Sequence, residues 1–250
     1  MELFSILATC AALTFGTGSP AEQAYPVSEQ ECKSAAAMYR EQLQKVQLTD
    51  QDRDAIARVA IAEAANQGDS GLAGVVYTII NRRLSGQFGQ TVTDVVNSPK
   101  QFEPVTKVGG DWKKLPSVTV SQYTQVQTII NLALEGHLPD ITNGGLFFQN
   151  PAIVADREKA GKVSKGLTNF GGSAPSAIIK DHAFYASINK GGPSNSPPVQ
   201  LTASAVPEPK KWDVYGTAKF QKNSNAEWNV FSKNTPSKSV YQNEGVQQCN

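Results

Sequence analysis

Glu63 is an acid in apolar company. It lies in the run AIAEAA at 60–65, and Ile56, Val59, Ala60 and Glu63 recur at spacings of three and four, so they share one helix face. A carboxyl on a buried face is partly desolvated, and desolvation lets it keep its proton to higher pH. Such a group can act as a general acid, protonating a departing oxygen near neutral pH. If the bond broken is glycosidic, a second carboxylate could activate water or act as nucleophile; Glu103 in QFEPV and Asp69 are the candidates. Gln101, Gln149 and Asn150 offer amides to the polar groups of a ligand, while Phe102, Phe148 and Tyr185 offer faces to its rings. His182 reads as a hydrogen-bonding structural histidine beside this set, and Tyr185 as the cleft hydroxyl.

Other chemistries are poorly provided for. The chain of 250 residues holds two histidines, His137 and His182, in no HExxH pattern, and no carboxylate cluster has calcium-loop spacing. No metal or cofactor is therefore expected. A formal net charge of +1 provides no field for nucleic acid or acidic membranes. The three cysteines, Cys10, Cys32 and Cys249, lie outside the central region, which argues against a cysteine nucleophile.

The elements that must position these residues are signalled by caps and periodicity. Thr49 with Asp52 caps an alanine-rich helix running to Ala65. Asp69 or Ser70 caps the next, whose inward stripe is Leu72, Val75, Val76, Ile79, Ile80 and Arg83, with Gly86 ending it. A short third helix starts at Thr91/Asp94 and stops before Pro99. A fourth runs from about Ser121 to Leu134, with Tyr123, Val126, Ile130 and Ala133 inward. QFEPV and GGLFFQNP read as short strands or loops lining a cleft. The fold class is thus α+β, mostly α.

Five regions follow. Residues 1–24 combine a short apolar run with small residues and read as a signal peptide, too short to anchor in a bilayer. Residues 25–48 form a helical arm, 49–188 the folded body, 189–210 a Pro/Ser-rich linker and 211–250 an extension carrying aromatics. Export would remove Cys10 and leave Cys32 and Cys249 to pair, wrapping the extension around the body. The implied location is secreted, in the periplasm or the cell wall.

The order of AEA at Glu63, Asn81-Arg82, Gln101-Phe102, GGLFFQNP at 144–151 and His182-Ala-Phe-Tyr185 resembles the SleB-type cell-wall hydrolases over roughly residues 53–187. The resemblance implies a lysozyme-like helical domain, Glu63 as single catalytic acid, and a peptidoglycan glycan strand as partner. It further implies lytic transglycosylase chemistry, in which the muramyl 6-hydroxyl attacks within its own sugar and no second carboxylate is needed. A muramidase using Glu103 is the alternative. Others are a virion-associated wall-degrading protein with virion partners and a non-catalytic wall binder. Gln149 stands where many relatives carry histidine, and Lys180-Asp181 where glycines are usual.

Overall fold

Capping boxes start most of the longer helices. Ser28 with Glu31 opens α1 (Glu29–Gln44), and Thr49 with Asp52 opens α2 (Asp50–Ala64). In the computed structural model, which describes residues 27–188 together with Leu3, Phe4, Ile6, Leu7, Thr9 and Cys10, a 3₁₀ turn at Ala65–Gln67 leads directly into α3 (Gly68–Ser85). That continuity changes one expectation. Asp69 and Ser70 fall inside the first turn of α3, and no side chain caps it. Gly86 ends the helix with φ 66°, a left-handed conformation that suits glycine.

Two more capping boxes follow, Thr91/Asp94 before α4 (Val92–Asn97) and Thr119/Gln122 before α6 (Val120–Leu134). Between them QFEPV forms neither strand nor loop lining: Pro104 sits in the first turn of a short helix, α5 (Glu103–Lys107). GGLFFQNP divides in two. Phe147–Gln149 is strand β1, while Asn150 caps and Pro151 begins α7 (Pro151–Lys159). Strands β2 (Ala177–Ile179) and β3 (His182–Tyr185) complete an antiparallel sheet in the order β1-β3-β2. The architecture is α+β and mostly helical.

α3 runs through the middle. Every residue from Gly71 to Arg82 is buried, because α2, α4, α6 and β2 all pack against it. Helical periodicity loses its meaning on such an element, and this corrects a second expectation: Arg82, not Arg83, is the buried arginine. The sheet reaches α3 through Phe184, whose ring tip would lie 2.6 Å from a Cβ added at Gly74. Only a glycine permits that approach.

The arm belongs to the same core. Tyr39 of α1 donates to Asn81 Oδ1 at 2.6 Å and to Asp140 Oδ2 at 3.2 Å. Asp140 also accepts from the Asn81 amide, the Thr142 N–H and hydroxyl, and the Gly144 N–H. Phe4 meets Tyr39 edge-on at 6.2 Å, and Cys10 is bonded to Cys32. The expected partner of Cys32, Cys249, lies outside the described residues, so the Cys32–Cys249 pairing is replaced. The physical reason is proximity: Phe4 holds its segment beside α1, and a sequence separation of 22 closes a far shorter loop.

The chain divides into units Met1–Val199 and Gln200–Asn250, and the described residues all belong to the first. The linker at 189–210 and the extension at 211–250 therefore lie outside the described residues. Among the described residues no helix is long and apolar enough to cross a membrane. Gly74→Ala is expected to lower stability by roughly 1–3 kcal/mol through overpacking against Phe184, read as a drop in melting temperature. An unchanged melting temperature would mean that the sheet can move away from α3.

Candidate active site

Glu63 stands at the last turn of α2, where the chain bends through Ala65–Gln67 into α3. The hairpin turn between β2 and β3 docks on this bend: Gln67 Nε2 donates to Asp181 Oδ2 at 3.1 Å. Asp181, in that turn, thus ties the sheet to the bend that follows Glu63. The Glu63 side chain is partly exposed, yet its Oε1 is sealed from solvent with no hydrogen-bond partner. Burial pushes its pKa up from 4.5 to about 7; the Glu103 N–H opposes the rise, the Glu103 charge adds to it, and Arg82 and Lys107 pull it back. The group can hold a proton at neutral pH and release it without leaving the working range.

Glu103 is placed differently. Its exposed carboxylate receives both Arg157 nitrogens at 3.1 Å and pairs with Lys107 at 2.9 Å. Those bonds, Arg157's first, hold its pKa below the usual value and keep it ionised. It acts on Glu63 through its backbone N–H and its charge. Asp69, the other candidate, accepts from Gln125 Nε2 on α6 at 2.5 Å.

Several of the expected ligand-binding side chains are committed to architecture. Phe102 is wholly buried and so offers no face to a ring; Arg82 packs on it at 4.8 Å. Gln149 uses its amide to hold a loop, accepting from the Asn169 N–H at 3.1 Å and donating to the Leu167 carbonyl at 3.4 Å. Asn150 accepts from the Ile153 N–H as the cap of α7. Tyr185 is buried, its hydroxyl donating to Asn169 Oδ1 at 2.9 Å, so it is not a cleft hydroxyl. Two of them, Gln149 and Tyr185, share a cause: the loop through Asn169 and Phe170, both with left-handed backbone, is held by their bonds to it.

Three residues keep a binding role open. Phe148 is partly exposed, with its ring between those of Phe102, His182 and Phe184 at 6.2, 5.5 and 5.7 Å. His182 is buried, and its Nδ1 has no hydrogen-bond partner. Burial lowers its pKa, against the charge of Asp181. Gln101 is partly exposed beside Phe102, one residue past the strained Lys100.

Arg82 is the buried charged residue that spacing missed. It is almost fully buried, packed between Phe88 at 4.7 Å and Phe102 at 4.8 Å, with Nε donating to the Leu146 carbonyl at 2.7 Å. The available signal was the Asn81-Arg82 dipeptide on an otherwise apolar helix, since an arginine there must be paired or stacked.

The linkage sign for Glu63 is that of an acid with a raised pKa. Between about pH 4.5 and 7 the folded form retains a proton the unfolded chain has lost, so this group's contribution to stability falls as pH rises through that window. Glu63→Gln is expected to remove that fall and to be more stable than the parent at pH 8 by about 1–3 kcal/mol, measured by urea unfolding at pH 5 and 8. Equal pH dependence in both proteins would show that Glu63 titrates normally.

Residues 66–185 match a family model described as Cell Wall Hydrolase. No curated protein and no solved structure matches the chain. The matched stretch covers α3 through β3 and begins three residues after Glu63, so the likeness covers the scaffold and the geometry alone carries the acid.

Proposed function

We propose that the chain cleaves peptidoglycan glycan strands as a SleB-type lytic transglycosylase, with Glu63 as acid and then base. The carrying observation is a carboxyl that is reachable from solvent yet keeps one oxygen dry and unpaired, with its pKa raised to about 7. The similarity of residues 66–185 to cell wall hydrolases supports the substrate class.

In this scheme Glu63 donates its proton to the glycosidic oxygen as the bond from muramyl C1 breaks. The developing cation at C1 is then closed by the sugar's own 6-hydroxyl, whose proton returns to the Glu63 carboxylate. Bond and proton counts balance, and water takes no part. The state of Glu103 favours this scheme over a muramidase. A carboxylate held by Arg157 and Lys107 is poorly placed to be a nucleophile or a base, whereas the intramolecular closure needs none. A lysozyme-like layout, with one glutamate at the end of a helix beside a small sheet, is part of the same proposal. The Cys10–Cys32 bond supports work in an oxidising compartment, the periplasm or the wall.

Purified sacculi digested by the protein are expected to yield muropeptides with 1,6-anhydromuramic ends. Reducing muramic ends would replace the scheme with hydrolysis, and clipped peptide stems on intact strands would refute glycan cleavage. Glu63→Gln is expected to lower the rate at least ~100-fold while remaining folded. Because the acid must be protonated, the rate is also expected to fall as pH rises through about 7, followed as turbidity loss across pH 5–9.

A further inference from the structure

Arg82 is costly where it lies. A guanidinium on the most buried helix of the fold loses its hydration, and burial accordingly lowers its pKa to about 9. It is still a cation at neutral pH. What holds it is specific: a ring on either side, a carbonyl on Nε, and a Nη1 that is buried with no partner. The Glu63 Oε1 is likewise buried and unpaired, the two charges act on each other, and Phe102, on which Arg82 packs, immediately precedes Glu103, whose N–H reaches the Glu63 carboxyl.

We propose that Arg82 is a positioning residue for Glu63: a cation fixed by Phe88, Phe102 and the Leu146 carbonyl that stabilises the Glu63 carboxylate when its proton has left. This rests on the glycan-cleaving reading of Glu63 and adds a second residue to it.

Geometry explains why the arrangement can work. A direct ion pair would trap Glu63 as a carboxylate and abolish the acid. With no charge nearby, desolvation alone would hold the proton too tightly to give up. Arg82 acts without hydrogen-bonding to Glu63, so it tempers the effect of burial rather than reversing it. The other charged groups acting on Glu63 come from α5, where Glu103 and Lys107 are exposed and paired with each other, Glu103 also holding Arg157. That leaves Arg82 as the fixed charge. A planar guanidinium suits the slot between two rings, where a lysine ammonium would lose its proton more readily.

The test is a side-chain NMR titration of the full chain. Carboxyl ¹³C of Glu63 and side-chain ¹⁵N of Arg82 are expected to share one step near pH 7, and Glu63→Gln is expected to remove that step from Arg82. In Arg82→Met the Glu63 midpoint is expected to rise by about one unit, with the alkaline limb of the rate profile moving equally. Arg82→Lys is expected to fall between it and the parent. Should Arg82→Met not fold, the shared step in the unmutated protein still decides the matter. An Arg82 signal that is flat across pH 5–9, or a Glu63 midpoint indifferent to residue 82, overturns the inference. A shared step in a protein that leaves sacculi intact overturns glycan cleavage instead and leaves the coupling standing.

Discussion

One oxygen of the Glu63 carboxyl is denied water without being given a partner, and the arrangement around it follows from that constraint. A surface glutamate ionises near 4.5; burial at the end of α2 moves this one to about 7, with the Glu103 N–H of α5 opposing the rise. Around it lie a short connection into α3, the start of α5, whose Glu103 N–H reaches the carboxyl, and a sheet latched to the bend by Gln67 and Asp181. Each is a local feature with an ordinary cause. Their convergence surrounds an acid whose pKa is raised to about 7.

The helices were largely legible because capping is a local code. Thr49/Asp52 and Thr91/Asp94 announce helix starts through side-chain bonds that need no tertiary context. The position of Glu63 was legible for a similar reason, since spacing alone places it on the face of Ile56, Val59 and Ala60, all three of which are fully buried. What was not legible depends on distant partners. Whether Arg82 or Arg83 turns inward is decided by Leu146, Phe88 and Phe102, none of which periodicity within α3 can reveal. The pairing of Cys32 likewise turns on Phe4 finding Tyr39.

The amide and hydroxyl side chains show a related ambiguity. Gln149, Asn150 and Tyr185 have the right groups for a sugar, but the same donors and acceptors serve a backbone that leaves regular structure. Here the loop at 166–172 takes two of them and the start of α7 the third. Residue type cannot distinguish a ligand's hydrogen bond from a loop's. Burial can, and by that measure Phe148 and Gln101 are partly open to solvent while Gln149 and Tyr185 are not.

The Tyr39–Asn81–Asp140 junction has a consequence for what counts as the folding unit. Asn81 is the neighbour of Arg82 on α3, and its side chain is satisfied partly by a tyrosine more than forty residues earlier. A shorter piece of the chain, begun at the cap of α2, would leave the carboxamide and Asp140 facing an unfilled apolar hollow. The arm is therefore a wall of the interior, and the smallest autonomous body reaches back at least to Ser28, well upstream of the acid it helps to support.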